Sequence, residues 1–317
     1  MKSRRFDRSL LRTRSISGRC SRLSPAMLWR RWDGTSAESF EASMPDVLAS
    51  RSLRELARAV LRSREDGSER ILMYGGHVIK CGLGPLLCSW LDRGFVTALA
   101  TNGSGSIHDL EMALFGGTSE DVEAGLSDGS FGMWEETASV YGEAVEKADS
   151  EGTGLGGALG RILCDRGCDT SSSPMAASSA AGLPATVHPA LGTDIVHPLV
   201  QVDWGKLGKA AERDFDTLGE RICRLGGGVV LNVGSAVVMP EVFLKLLASA
   251  RNLGCPVEGF TAASFDMIRQ YRPLSNVVGR PSTALGGTPV SITGHHEILL
   301  PLLDLVLSVT EKRGDWK

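Results

Sequence analysis

The feature that most constrains this chain is a series of short, almost wholly apolar runs, each closed by small or polar residues, with helical patterns between them. Residues 71–74, 96–101, 185–191, 229–233, 257–262 and 276–278 read as strands. Between them, residues 84–93, 107–115, 119–147 and 206–224, and a segment starting after Pro240, read as helices. Strands apolar along their whole length are buried on both faces, and strands that alternate with helices pair in parallel. The pattern predicts an α/β fold built on a doubly wound, mostly parallel sheet. A helix at residues 50–64 supports it, placing Leu53, Leu56, Ala57, Val60 and Leu61 on one stripe. Residues 165–184, rich in Ser, Pro and Gly, read as a surface excursion, and no fixed-period repeat stands out.

Charge divides the chain unevenly. Residues 1–31 hold Lys2 and nine arginines against Asp7 alone, and the remaining 24 basic and 36 acidic residues leave the body at −12. An acidic body argues against a nucleic-acid-binding surface. The Arg-rich, Ser-rich arm has the composition of a transit peptide or a disordered leader and no apolar stretch of secretory length. The expected organisation is a disordered basic arm at 1–45 and one α/β domain at 46–317, with a helical insertion at about 119–184. No apolar run reaches the roughly 20 residues of a membrane-spanning helix, so no membrane partner is expected. Seven scattered cysteines without a secretory signal predict free thiols in a reducing, cytoplasmic setting. Cys164 and Cys168 have half-site spacing for zinc but no second pair follows, and the predicted metal ligands are none.

Chemistry is expected where strands end. Thr101-Asn102-Gly103-Ser104-Gly105-Ser106, Asn232-Val233-Gly234-Ser235-Ala236 and Thr261-Ala262-Ala263-Ser264 each place small, polar residues at the end of an apolar run. In a doubly wound sheet such ends line one edge, where glycine lets a phosphate approach the backbone and the next helix offers free N–H groups. The three together point to a nucleotide or cofactor site. Neither a complete G-x-G-x-x-G after a strand nor a Walker A sequence occurs, which disfavours an ordinary dehydrogenase or NTPase.

Histidine is the side chain best suited to proton transfer near neutrality, and neutral imidazole binds metals. His108, His188, His197, His295 and His296 lie beside acids or predicted strand ends, with Asp109, Asp194 and Glu297 as neighbours. Glu135, Glu136, Glu143 and Glu146 read as a solvated helix face, and residues 299–307 as core or interface. Arg269, Arg272 and Arg280 with Tyr271 form a possible clamp for an anion.

Taken in order, these segments resemble the deoxyhypusine synthase family over residues 70–308. Residues 96–110 are similar to that family's strand, Thr-Thr-Ala-Gly-Gly turn and acidic helix start. Pro189-Ala190-Leu191-Gly192-Thr193-Asp194 resembles its Pro-Ala-Leu-Thr-Asp segment. Residues 228–235 look like its strand into a Gly-Gly-Gly turn, residues 261–266 like its Asn-Thr-Ala-x-x-Phe-Asp, and residues 298–303 like its terminal apolar helix. The resemblance implies a Rossmann-like, NAD-binding homotetramer that oxidises spermidine and passes the aminobutyl group through an enzyme lysine to a lysine of a translation initiation factor, or to another polyamine. It implies NAD contacts at Thr101, Asn102, Gly103, Gly105, Asp109, Asp194, Gly234, Ser235, Thr261 and Ala262. Asp266, with His188, Glu241 and Glu297, is expected to face the amine.

One departure matters. The family's Ser-Trp-Gly-Lys is absent, and the corresponding interval reads Asn276-Val277-Val278-Gly279-Arg280-Pro281. Arginine stays charged and forms no imine. Trp204-Gly205-Lys206 occurs earlier in the chain, so Lys206 is the substitute considered, and His197 or His296 is the expected proton acceptor. Two other readings stay open: a hydrolase or lyase built on His188, His197, His296 and Glu297, with or without a metal, and a non-catalytic binding protein that keeps the cofactor fold.

Overall fold

Along β1 (Arg70–Tyr74) successive side chains enter two separate cores, Leu72 and Tyr74 into one and Ile71 and Met73 into the other. That division follows from the two-residue period of a strand with helices on both sides. The computed structural model describes residues 8–21, 25, 37–314 and 316. Its remaining strands are β2 (Ala98–Asn102), β3 (Ala185–His188), β4 (Val229–Val233), β5 (Thr261–Asp266) and β6 (Thr288–Thr293). They form one sheet in the order β3-β2-β1-β4-β5-β6, every pair parallel. The chain winds outward from β1 to β3 and then returns to lay β4 beside β1. The carboxyl ends of β1 and β4 therefore flank the topological switch point, where open α/β sheets bind ligands.

The helices are α1 (Ala37–Ser43), α2 (Leu48–Glu65), α3 (Gly76–Lys80), α4 (Gly84–Asp92), α5 (Gly103–Phe115), α6 (Val122–Asp128), α7 (Glu135–Glu151), α8 (Leu155–Asp165), α9 (Pro174–Ala180), α10 (Trp204–Ile222), α11 (Val238–Asn252), α12 (Arg280–Leu285) and α13 (His296–Arg313). The stripe predicted on α2 is buried as its spacing requires, against α13 and the sheet. The smaller core is closed by α11, by Leu218 and Ile222 of α10, and by Val277 and Val278. Among the described residues no helix is long and apolar enough to cross a membrane.

Several sequence expectations are corrected. Residues 276–278 are not a strand: they lie in a π-helical segment, Pro273–Gly279, where the β-branched Val277 and Val278 pack into the smaller core. The sixth strand, β6, lies further on. The strand expected at 257–262 begins at Thr261 and runs to Asp266. Residues 119–184, expected as a helical insertion, carry α6, α7, α8 and α9 within the β2-to-β3 connection, and α8 packs on β3.

The described part of the arm makes contacts with the body. Glu135 N–H donates to the Arg14 carbonyl at 2.9 Å. The Arg19 guanidinium donates to Glu111 Oε1 at 2.8 Å, with side-chain exposures of only 2% and 0%. Residues 1–7, 22–24 and 26–36 of the arm lie outside the described residues. The expectation of free thiols throughout is also corrected: Cys223 and Cys255 form a disulfide, which ties the end of α10 to the segment entering β5.

Candidate functional site

At the carboxyl edge of the sheet the turns are stitched to one another. Gly75 N–H donates to the Val233 carbonyl, Gly234 N–H to that of Phe265 and Gly294 N–H to that of Asp266, at 2.9, 2.9 and 3.0 Å. Parallel pairing thus continues past the strand ends and fixes the loops of β1, β4, β5 and β6 in a row. Gly234 has φ +63°, and a Cβ there would stand 2.8 Å from His296 Cε1. The turn after β4 must be glycine so that the first residue of α13 can lie against it.

One group of side chains gathers beside β2 and β3. Asn102 caps α5 by accepting from Gly105 N–H at 3.1 Å, and the N–H groups of the first turn of a helix have no intrahelical acceptor. Asp194 lies against Gly103, with its Oδ2 buried and unpaired, and burial pushes its carboxyl up to about 6. His197 is fully buried, and its Nδ1 accepts from both Gly192 N–H and Asp194 N–H, at 3.1 and 3.0 Å. Those bonds commit the lone pair of the neutral ring and leave the proton on Nε2, 3.6 Å from Asp194 Oδ2. With burial lowering its pKa, His197 is built to hold the Asp194 loop, and accepting a proton would cost both backbone bonds.

A second group gathers at the ends of β1, β4, β5 and β6. His296 opens α13 at 1% exposure, and neither ring nitrogen has a hydrogen-bond partner. Leaving such a group unpaired costs about 1–3 kcal/mol. Its ring stands edge-on to His77, with centroids 5.4 Å apart. Burial lowers the pKa of both, His77 further because of Lys80 and His296 further because of His77, which keeps them neutral with lone pairs available. Cys81 follows His77 by one helical turn and donates its thiol to Glu297 Oε2 at 3.5 Å. The potential donor atoms of His77, Cys81 and His296 lie within 4.8 Å of one another. Asp266, at the end of β5, accepts from Met267 N–H through Oδ1 and keeps Oδ2 buried and unpaired. The two groups approach where α3 meets α5, since a Cβ on Gly76 would stand 2.6 Å from Ser104 Oγ.

The predicted residues divide accordingly. Asn102, Gly103, Gly105 and Asp194 come together on the β2 side, and Gly234, Asp266, His296 and Glu297 on the β4 side. Thr261 and Ala262 do not reach this edge: they begin β5, pairing with Val229 and Val230 at the start of β4. The apolar run ends four residues later than expected, which moves them to the opposite edge and puts Asp266 in their place. Thr101 is fully buried, with its hydroxyl donating to the Tyr74 carbonyl, and Asp109 caps α9 by accepting from Met175 N–H. Ser235 Oγ accepts from Met239 N–H inside the turn.

His188 is buried at the end of β3, its Nε2 3.0 Å from Thr186 Oγ1. Glu241 is drawn to Lys245, Arg272 and Asn276 on the surface of α11. The proposed anion clamp is partly self-satisfied, since Arg272 pairs with Glu241 and Arg280 donates to Asn276 and Tyr271. Lys206 extends from α10 to Glu146, with its Nζ 2.6 and 2.8 Å from the two carboxylate oxygens in an exposed ion pair. The structure does not assemble His188, His197, His296 and Glu297 as one cluster, because the first two are committed beside β3. His77 and Cys81 carried no weight in the sequence reading. Their four-residue spacing on a helix following a Gly-Gly turn was the available signal.

No protein-family model matches the chain, and no curated protein sequence matches it. Solved structures do. A conserved LOR/SDH protein from Methanococcus maripaludis S2 is 15% identical over 86% of this chain and 72% of its own, with a TM-score of 0.50. AgrE, in its ternary complex with ornithine and NAD+, is 14% identical over 85% of this chain, with a TM-score of 0.51. The match spans only 34% of the AgrE chain. A deoxyhypusine synthase from Entamoeba histolytica is 11% identical over 89% of this chain and 98% of its own, with a TM-score of 0.48. Likeness at these identities establishes the Rossmann-like α/β fold alone.

Proposed function

We propose that this protein binds NAD at the switch-point edge and oxidises a small amine. The observation that carries the reading is the row of turns at that edge, with the glycine-rich start of α5 on one side and the unpaired Asp266 and His296 on the other. Asn102, Gly103 and Gly105 would hold the dinucleotide, with the first N–H groups of α5 facing its phosphates. The unpaired polar atoms at the strand ends fit a polar ligand there. AgrE, which shares the fold, binds ornithine and NAD+, and this supports an amine substrate.

When bound, NAD supplies a hydride acceptor. The chain's own residues supply the rest. Asp266 presents a carboxylate oxygen to the amine, and His296, neutral and with one free ring lone pair, takes the proton that the amine nitrogen loses as the neighbouring carbon gives up its hydrogen as hydride. Transfer of an aminoalkyl group through Lys206, to a polyamine or to a lysine of a translation initiation factor, gains no support from its ion pair with Glu146. Homotetramer formation belongs to the same resemblance and is checked by light scattering.

The test is calorimetric titration of the full chain with NAD, followed by measurement of NADH formation with spermidine, ornithine and simple diamines. Saturable binding that Gly103→Ala weakens is expected. Absence of binding at millimolar NAD would overturn the reading.

A further inference from the structure

We propose that His77, Cys81 and His296 form a zinc site, with a fourth position open to water or a neutral amine nitrogen. Three independent features converge on it. His77 lies on α3 and Cys81, its C-cap residue, follows four positions on with its N–H bonded to the His77 carbonyl, so the two side chains stand one above the other. His296 reaches that face from the start of α13, buried, with neither ring nitrogen in hydrogen-bond geometry and the Phe265 backbone close by. The three donor atoms lie within 4.8 Å of one another. In a tetrahedral zinc centre with bonds of about 2.0–2.3 Å the donors stand about 3.3–3.6 Å apart, so a pair at the outer limit closes by about 1.2–1.5 Å, shared between two side chains. The set of two imidazoles and one thiolate suits zinc and leaves one position free, as in zinc sites that bind substrate or water.

The surroundings fit the charge. A zinc ion with one thiolate carries a net single positive charge; Asp266 and Glu297 are the acids beside it, Glu297 already touching Cys81, and they outnumber Lys80, the cation on the same side. Binding forms one Zn–S and two Zn–N bonds and releases one proton from sulfur to solvent.

The test is metal analysis of the full chain, then titration of the chelator-stripped protein with Zn(II) against a chromophoric chelator and with Co(II). One equivalent per chain is expected, with an intense thiolate-to-cobalt charge-transfer band and the visible spectrum of a tetrahedral site. Cys81→Ser should abolish the charge-transfer band with the circular dichroism unchanged, and His296→Ala should remove stoichiometric binding. If His296→Ala does not fold, His77→Asn, at a half-buried position, makes the same test. Substoichiometric binding, or binding unchanged in these variants, would overturn the proposal. No nucleotide enters these titrations, so their failure is separable from failure of NAD binding.

Discussion

Asp194 Oδ2 occupies the space that a side chain on Gly103 would need, lying 1.9 Å from where its Cβ would stand. Asp194 has little freedom to retreat, because its backbone N–H is held by His197 Nδ1 at 3.0 Å. Gly103→Ala is therefore expected to destabilise the fold by about 1–3 kcal/mol, the usual range for forced overpacking, and to weaken NAD binding. Denaturant midpoints and NAD titration of the variant check both. An unchanged midpoint would mean that the Asp194 loop yields freely.

His188 gives a pH signature. Burial lowers its pKa from 6.5 to about 4, so between those values the unfolded chain binds a proton that the folded chain does not. Stability contributed by the neutral ring is present above pH 6.5 and is lost progressively as pH falls toward 4. His188→Gln should flatten the pH dependence of the melting temperature in that window. A profile identical to that of the unsubstituted protein would refute the assignment.

The Arg19–Glu111 pair ties the arm to α5 in a nearly dry setting, with Thr118 and Thr137 also donating to Glu111. Arg19→Ala leaves a buried carboxylate without its counter-ion, and the expected loss is about 3–5 kcal/mol. Urea unfolding of the full chain measures it. A loss below 1 kcal/mol, roughly the level of a surface pair, would show that the arm is not held this way.

The Cys223–Cys255 bond joins residues 32 apart in sequence. Loop-closure entropy for that separation predicts about 3–4 kcal/mol of stabilisation. Non-reducing peptide mapping should recover the linked pair, and Cys223→Ser should melt at lower temperature under oxidising conditions but match the unsubstituted protein under reductant. Two free thiols in protein purified without reductant would remove the basis of this expectation.

Legibility varied with how local the signal was. The stripe of α2 and the core segments of β1 and β4 were readable because a run of buried residues follows the period of its own element. Residues 276–278 misled because Val277 and Val278 favour strands locally yet are claimed by the smaller core from a helical turn. Thr261 and Ala262 were misplaced because an apolar run does not mark its own end, and strand register depends on neighbours. At the candidate site, Gly103, Gly234, Asp266 and His296 could be picked out as residues, whereas His77 and Cys81 offered only a four-residue spacing, their partner on α13 lying more than two hundred residues away.

The sequence by itself determined the α/β class, the alternation that makes the sheet parallel, and the idea that chemistry sits where strands end. These follow from periodicity and backbone chemistry, which act over a few residues. The tertiary structure alone decided the strand order with its switch point between β1 and β4, the disulfide and the binding of the arm. It also decided which histidines keep free lone pairs: His197 spends its own on backbone N–H groups, whereas the turn at Gly234 and the edge of His77 leave His296 without a partner. Hydrogen-bond commitment is a property of what surrounds a side chain in space, and nothing in the residue type specifies it.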